Sequence, residues 1–218
     1  MLHRKYKAVA FDLLTALMDS WAFWIKVAGD ESRGRAWRRA SLRLVTTAGA
    51  YRSYEEIVFE AASEVRVLRR QAVRLLEDWA AGKLAPWPET PSILSKLAHQ
   101  GWRTAVVTNC SQRLAEAAAS ATGHRFDRIV SAEKAGFYKT EPAAYKAGLD
   151  ALGEQDASRV LFVAGSPHDV PGASAVGMDV YLSNRFNDPV PAGSPKPFMN
   201  EPNLLAIPDF LADGPATD

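Results

Sequence analysis

The chain has 218 residues, of which 47% are apolar and 23% charged, the ordinary composition of a globular protein. Its formal net charge of +1 gives no reason to expect nucleic acid or a membrane surface as a partner, and its single cysteine excludes an intramolecular disulfide and a cysteine-based zinc cluster. We find neither a signal peptide nor an apolar run long enough to span a bilayer, so we expect a soluble, cytoplasmic protein.

The first predicted strand ends on a single carboxylate. Tyr6 and residues 9–11 form a short apolar run that stops at Asp12, and no further acid follows until Asp19. A buried, unpaired charge is costly. We therefore expect Asp12 either to be held structurally, for example as a helix N-cap, or to take part in chemistry.

A long segment of helical character follows this strand. From Ala16 to about Leu84, apolar residues recur at helical spacing, and the proline-rich stretch APWPETP at residues 85–91 closes the segment. We interpret the segment as a helical cap inserted into an α/β core. Its arginine-rich run at residues 32–43 favours a solvated helix face.

Further short apolar runs are typical of buried parallel strands, and they occupy residues 102–109, 127–132, 159–166 and 179–184. Helical patterns that end on glycine alternate with them, at residues 91–101, 112–123 and 141–153. This alternation predicts a parallel sheet with helices on both faces, in which ligands bind beyond the carboxyl ends of the strands. The tail after Asn184 is predicted to wrap the core and to finish in a short helix or turn near residues 207–213.

Polar side chains follow several of these predicted strands. Taken singly, each has an ordinary explanation as a helix cap, a loop residue or a surface lysine. The predicted topology nevertheless brings all of them to one edge of one sheet, which predicts a shared site. The candidates are Asp12, Thr108, Asn109, Lys139, Ser166 and Asp169.

Four segments, in order, resemble the motifs of the haloacid dehalogenase (HAD) superfamily. They are FDLLTALMD, VVTNCS, YKTEPAAY and VAGSPHDVPGA, and the resemblance runs from about residue 6 to residue 185. It implies an α/β fold, a HAD-like Rossmannoid parallel sheet with helices on both faces and an inserted helical cap. The implied core comprises residues 1–15 and 85–218, and the implied cap comprises residues 16–84.

Two missing acids indicate the branch of the superfamily. HAD phosphatases carry a second aspartate two residues after the nucleophile, where this chain has Leu14, and an acid in the fourth motif, where it has Gly165. Magnesium sites normally combine carboxylates with substrate phosphate oxygens, so this pattern argues against phosphoryl transfer. The chain resembles the L-2-haloacid dehalogenases instead, which implies no metal and no cofactor.

The resemblance also implies roles for individual residues. Asp12 would be the nucleophile, Lys139 would hold it and lower its pKa, and Asp169 would position or activate the hydrolytic water. Thr108 and Asn109 match a pair that binds the substrate carboxylate. The further substrate-binding candidates are Tyr145, Ser166, Thr15, His168 and Leu14.

A Trp-Arg segment in the cap resembles the halide-binding segment of this branch and places Arg38 at the halide. An arginine suits a leaving halide because it stays charged and offers several donors. Arg39 competes for this register, and a solvated helix face is the alternative. Trp21 and Trp24, like Trp37, could wall an apolar pocket or simply pack the cap.

The chain departs from the branch at several pocket positions. Thr15 and Ala16 replace a Gly-Thr pair, and Thr15 could supply the hydroxyl that is lost at position 16. Ala164 and Ser166 stand where serine and asparagine are usual. His168 replaces an aromatic residue and is expected either to contact the substrate or to face solvent. These changes keep the residues predicted for the reaction but alter those predicted to line the pocket. The sequence therefore predicts the reaction class more closely than the substrate.

The predicted function is metal-independent hydrolysis of short 2-haloacids to 2-hydroxyacids through an aspartyl ester. Two alternatives stay open at this point: a HAD-fold phosphatase or other small-molecule hydrolase, and an altered HAD scaffold that only binds. The predicted partner is a small-molecule acid, with no nucleic acid and no membrane. Relatives often form dimers, so a homodimer through the apolar cap helices is an option.

Overall fold

A computed structural model describes residues 5–216 of the chain. A six-stranded parallel sheet runs through its centre in the order β3-β2-β1-β4-β5-β6. The predicted parallel α/β fold is therefore confirmed. The strands are β1 Ala8–Phe11, β2 Arg103–Thr108, β3 Arg128–Ser131, β4 Val160–Ala164, β5 Asp179–Ser183 and β6 Met199–Glu201.

Strand β1 lies between β2 and β4, and all four of its residues are buried. Val9 and Phe11 pack into the apolar cluster on one face of the sheet, whereas Ala8 and Ala10 pack into the cluster on the other face. Burial on both faces explains why the strand reads as a continuous apolar run. It also places Asp12, the next residue, at the carboxyl edge in the middle of the sheet.

Helices cover both faces of the sheet. Side chains of α8 and α9 belong to one apolar cluster, and side chains of α5, α6 and α10 belong to the other. The predicted glycine stop of α8 is present, because Gly153 caps this helix in a left-handed conformation with φ of 67°. The helices are α5 Thr90–His99, α6 Gln112–Ala121, α7 Ala132–Ala135, α8 Pro142–Leu152, α9 Asp169–Ala175 and α10 Ile207–Phe210.

The segment between β1 and α5 is helical, as predicted. Three of its helices begin at a capping side chain that accepts a backbone hydrogen bond: Asp19, Asp30 and Ser53. Trp37 and Trp79 lie in its apolar interior and are fully buried. The helices are α1 Ser20–Ala28, α2 Glu31–Ala48, α3 Tyr54–Glu64 and α4 Arg69–Ala80.

The chain enters and leaves the helical segment through two adjacent strands of backbone. Met18 forms an antiparallel bridge with Pro86, and the Asp19 amide donates to the Ala85 carbonyl at 2.9 Å. The π-helical turn Leu13–Leu17 leads into this crossing. The division of the chain into a core of residues 1–15 and 85–218 and a cap of residues 16–84 follows these crossings, and it stays our proposal.

The tail differs from the prediction in one respect. It wraps the core and forms the short helix α10 as expected, but it also adds β6 to the edge of the sheet beside β5. This three-residue strand has no apolar run of its own, because two of its residues, Asn200 and Glu201, are polar. None of the helices within residues 5–216 combines the length and apolarity needed to cross a lipid bilayer.

Candidate active site

The carboxylate of Asp12 lies at the carboxyl end of β1 and is 5% exposed. Its backbone amide continues the sheet by donating to the Val163 carbonyl at 2.9 Å. Its Oδ2 accepts the Thr15 amide at 2.8 Å, the Thr15 hydroxyl at 2.6 Å and the Ala16 amide at 3.0 Å. Asp12 therefore caps the π-helical turn, and the Thr15 hydroxyl does contact it, as expected for the altered Gly-Thr pair.

Gly165 allows this turn to approach β4 closely. A Cβ atom at position 165 would lie 2.0 Å from the Ala16 nitrogen and 2.1 Å from the Thr15 carbonyl carbon. No side chain fits there without moving the backbone that holds Asp12. The acid that HAD phosphatases carry at this position is thus sterically excluded.

Lys139 joins the two candidate carboxylates. Its Nζ donates to Asp12 Oδ1 at 2.8 Å and lies 3.1 Å from Asp169 Oδ1, and the lysine is 3% exposed. Asn109, which follows β2, hydrogen-bonds to both the backbone amide and the backbone carbonyl of this lysine. Its Oδ1 accepts the Lys139 amide at 2.7 Å, and its Nδ2 donates to the Lys139 carbonyl at 2.8 Å.

Asp169 is the first residue of α9 and is held by Tyr145 as well as by Lys139. The Tyr145 hydroxyl donates to Asp169 Oδ1 at 2.7 Å, and the tyrosine is fully buried in α8. Gly172 makes room for its ring, because a Cβ there would lie 2.4 Å from Tyr145 Cε2. We assign Tyr145 to positioning Asp169, and its contact with substrate stays a prediction.

The two carboxylates have pKa values that move in opposite directions. Burial alone would raise the pKa of Asp12, but the Lys139 charge and the hydrogen bonds from Lys139 and Thr15 lower it below its ordinary value. Burial raises the pKa of Asp169, and the Asp12 charge adds to that rise against the opposing effects of Lys139 and Tyr145. The pKa of Lys139 is raised because the two acids outweigh its burial. Asp12 is thus the stronger acid of the two and stays ionised, whereas Asp169 is the better base.

These residues do not fit a magnesium site. The two carboxylates share one ammonium group, Leu14 is an apolar buried residue, and Gly165 cannot carry an acid. Within residues 5–216, no three histidine, cysteine, aspartate or glutamate side chains are grouped so that they could hold a metal ion. The donor set instead suits a carboxylate nucleophile held by a lysine.

Arg38 lies inside the cap and is 2% exposed. Its guanidinium packs over the Trp24 ring, 5.3 Å from the ring centroid, and over the Trp21 ring at 5.9 Å, and Nη2 donates to Ser20 Oγ at 3.5 Å. No acidic side chain of the described residues lies within ion-pair distance of it. A buried cation without a counter-ion is a candidate anion site.

The interpretation of the arginine-rich run as a solvated face is wrong for Arg38. It holds for Arg33, Arg39 and Arg43, which are exposed. Helical periodicity explains the difference, since Arg38 shares the buried side of α2 with Ser41 and Val45. The register competitor Arg39 faces solvent.

The cap tryptophans divide between the two roles considered for them. Trp37 packs the cap, with its Nε1 donating to the Val58 carbonyl at 3.1 Å. Trp24 and Trp21 border Arg38. Ser20, which contacts Arg38, was not among the sequence candidates. Its position directly after the acid Asp19, at the start of a helix, is the only signal that could have drawn attention to it.

The other predicted site residues lie along the same edge of the sheet. Thr108 is buried at the end of β2, and Leu14 is buried in the π-helical turn. Ser166 is half-buried and its Oγ accepts the His168 amide at 3.3 Å. His168 is exposed, which favours the solvent-facing alternative for this residue.

Comparisons with known proteins point to one family. The sequence model of the haloacid dehalogenase-like hydrolases matches residues 6–177. The (S)-2-haloacid dehalogenase of Pseudomonas sp. strain YL is 30% identical over 200 residues, which cover 82% of this chain and 83% of the relative. Haloacetate dehalogenase H-2 of Moraxella sp. strain B is 28% identical over 226 residues, covering 96% and 99% of the two chains.

Solved structures show the same fold. The L-2-haloacid dehalogenase from Xanthobacter autotrophicus with chloropropionic acid covalently bound superposes with a TM-score of 0.81 at 20% identity. The superposition covers 97% of this chain and 100% of that one. Together with the family match over most of the sequence, this establishes that the chain belongs to the haloacid dehalogenase-like hydrolases.

Proposed function

We propose that the protein hydrolyses short 2-haloacids to 2-hydroxyacids through an ester on Asp12, without a metal ion. The observation that carries the proposal is the presence of two buried charged side chains: Asp12, whose pKa is lowered, and Arg38, which has no acidic partner within residues 5–216. The first supplies a nucleophile and the second an anion site. The names of the relatives, a haloacetate dehalogenase and an (S)-2-haloacid dehalogenase, support this substrate class.

In the first step, Asp12 Oδ1 attacks the halogen-bearing carbon of the substrate. Oδ1 is the freer oxygen, because it accepts only from Lys139 whereas Oδ2 accepts three hydrogen bonds. The carbon–halogen bond breaks, and the halide leaves with the bonding electron pair toward Arg38. A halide departs unprotonated, so no general acid is needed at the position of Leu14.

In the second step, water hydrolyses the ester at the Asp12 carboxyl carbon. Asp169 accepts a proton from the attacking water, since its raised pKa makes it the better base of the pair. Negative charge then develops on Oδ2, where the amides of Thr15 and Ala16 already donate. Preorganised donors of this kind stabilise a tetrahedral intermediate. The bond from the carboxyl carbon to Oδ1 then breaks, and the leaving alkoxide, which keeps Oδ1, takes the proton held by Asp169. The water oxygen stays on Asp12, and release of the second water proton to solvent restores the carboxylate.

The substrate contacts are proposals of the same kind. Thr108 and Asn109 would receive the substrate carboxylate at the end of β2, with Ser166 on the neighbouring loop. Asn109 also fixes the Lys139 backbone, so its substitution would disturb the lysine as well.

Beyond the small-molecule acid, we propose a cytoplasmic homodimer, which sedimentation of the purified protein and cell fractionation would test.

Product assays test the proposal directly. The protein is incubated with 2-chloropropionate and, separately, with a generic phosphate ester, each with and without EDTA. We expect halide release that EDTA does not affect, inversion at the substituted carbon, and complete loss of release in Asp12→Asn. Magnesium-dependent phosphate release would instead favour a phosphatase. Absence of any product over a broad panel of haloacids and esters would favour a scaffold that only binds.

A further inference from the structure

Arg38 is surrounded by buried polar atoms that have no partner within residues 5–216. They are Arg38 Nε itself, Trp24 Nε1, the Ser41 hydroxyl and the Tyr54 hydroxyl. Each of these residues is at most 2% exposed. Buried polar atoms normally have a hydrogen-bond partner. Four unpartnered atoms around one side chain therefore indicate a binding site for a ligand.

The four residues meet because three cap helices pack together. Ser41 follows Arg38 by one helical turn on the buried side of α2. Trp24 of α1 lies against the guanidinium. Tyr54 is the first residue of α3, and burial raises its pKa to about 12 against the opposing effects of the Arg38 charge and the adjacent Ser41 hydroxyl. The two hydroxyls thus face each other, but neither meets the geometry of a hydrogen bond. We call Trp24, Arg38, Ser41 and Tyr54 the donor cluster.

Other buried polar atoms without a partner among the described residues, such as Trp102 Nε1 and Ser183 Oγ, lie outside the cap helices, whereas these four gather around one guanidinium inside the cap. The cap tryptophans Trp37 and Trp79 are equally buried, yet each donates to a backbone carbonyl, at 3.1 Å and 3.0 Å respectively. The nearest acid in the sequence, Glu55, accepts a hydrogen bond from Ser111 at 2.7 Å and faces Arg113. The Glu55 carboxylate is therefore occupied by Ser111 and Arg113 and does not pair with Arg38.

The chemistry of the cluster selects an anion. Trp24 Nε1 and Arg38 Nε can only donate hydrogen bonds, and the serine and tyrosine hydroxyls can donate as well. The charge of Arg38 adds a further preference for a negative ligand. The chain also connects the cluster to the nucleophile: Arg38 Nη2 donates to Ser20 Oγ, and Ser20 begins α1 directly after the turn that Asp12 caps and the two residues that follow it.

We propose that Trp24, Ser41 and Tyr54 complete a donor-lined halide pocket around Arg38, and that this pocket selects substrates with small, strongly hydrogen-bonding leaving groups, chloride and fluoride. The inference rests on the proposed function for its turnover prediction. Small halides concentrate their charge and lose the most hydration when they are buried. Several fixed donors compensate for that loss, whereas large halides gain less from them. The bond changes are those of the first step, and no additional reactant is needed.

Two conservative substitutions test the pocket. Tyr54→Phe and Ser41→Ala each remove one hydroxyl while leaving Arg38 in place. A hydrogen bond to a charged group corresponds to roughly tenfold in an equilibrium or rate. We expect each variant to lower the ratio of kcat/KM for 2-chloropropionate to that for 2-bromopropionate by several-fold, less than the roughly tenfold loss for chloride alone, because bromide also gains something from the donor. The matched control is Tyr181→Phe, because the Tyr181 hydroxyl is likewise buried but donates to the Asn203 carbonyl at 2.7 Å.

A binding measurement separates the pocket from the reaction. Chloride and fluoride are titrated at constant ionic strength into the intact protein while the fluorescence of its tryptophans is followed. We expect saturable binding that weakens about tenfold in Tyr54→Phe and Ser41→Ala but not in Tyr181→Phe. Unchanged halide binding in both variants would overturn the pocket even if the enzyme releases halide. Absence of turnover in the wild type, together with the expected binding changes, would overturn the proposed function and leave the anion pocket supported.

Discussion

Lys139 Nζ lies 2.8 Å from Asp12 Oδ1, and both side chains are almost completely removed from solvent. This contact joins the end of the central strand to a loop more than a hundred residues away. It keeps Asp12 ionised in an apolar setting where burial alone would favour the neutral acid. Because the folded-state pKa of Asp12 is lowered, its contribution to stability is present at neutral pH and is lost as the pH falls through that pKa.

Removal of the lysine therefore leaves two buried carboxylates with no cation. We expect Lys139→Met to lower the free energy of unfolding by about 3 kcal/mol at neutral pH, because breaking a buried pair leaves an uncompensated charge. Halide release should fall at least 100-fold, roughly the effect of losing a well-placed charged group. Denaturant unfolding at pH 7 and at pH 4 measures the first effect. Equal destabilisation at both pH values would contradict the assignment, since protonated carboxyl groups do not need the lysine.

The acid limb of the pH–rate profile reports on Asp169. This residue must be ionised to accept a proton, and the Tyr145 hydrogen bond helps to keep its pKa from rising further. In Tyr145→Phe that bond is lost, so the pKa of Asp169 rises and the acid limb of kcat moves to higher pH by about one pH unit. Tyr181→Phe serves as the control for the loss of a buried tyrosine hydroxyl. An unshifted profile with a uniformly lower rate would show that Tyr145 supports packing only.

Close packing at Gly165 gives a stability prediction that does not depend on the reaction. The added methyl of Gly165→Ala would overlap the backbone of Thr15 and Ala16. We expect a loss of about 3 kcal/mol in the free energy of unfolding, the cost of overpacking a rigid backbone contact, together with loss of activity. Gly193→Ala is the control, because its φ of 79° imposes strain but nothing lies within 4 Å of the added carbon. That variant should lose only about 1 kcal/mol and stay active.

Substitutions of two adjacent arginines, buried Arg38 and exposed Arg39, distinguish the anion site from the solvated face of α2. We expect Arg38→Met to lower kcat/KM by about 100-fold, since it removes the charge that receives the halide. Arg39→Met changes an exposed side chain and should stay within about twofold of the wild type. Steady-state halide release by the two variants measures the difference. Equal effects, or a larger effect at Arg39, would contradict the assignment of Arg38.

Much of this site could be predicted from the sequence, because the strand pattern predicts where some of its residues lie and the motif resemblance predicts the others. The apolar run before Asp12 requires a buried strand, and a parallel sheet delivers the residues after each strand to one edge. The motif resemblance was needed for Lys139, because it follows the short helix α7 in an irregular loop and no periodic pattern marks it. In the structure its Nζ lies 2.8 Å from Asp12 Oδ1, and its role in the reaction stays a prediction.

Other features lie beyond what local sequence can indicate. Strand β6 owes its existence to the open edge of β5, and its three residues carry no apolar signal. The burial of Arg38 depends on how α1 and α3 pack against α2, so composition alone indicated a solvated face. Tyr54 and Ser41 look like ordinary helix residues until the packing shows that their hydroxyls lack partners.

The central claim is that Asp12 forms an ester whose own carboxyl group is hydrolysed. A single turnover in water enriched in ¹⁸O, with enzyme in excess over 2-chloropropionate, tests it most directly. We expect ¹⁸O to enter the Asp12 carboxylate, detected by mass spectrometry of the peptide that contains it, while the hydroxyl of the first product stays unlabelled. Label in the product hydroxyl, with none in Asp12, would show that water attacks the substrate carbon directly and that no ester forms on Asp12.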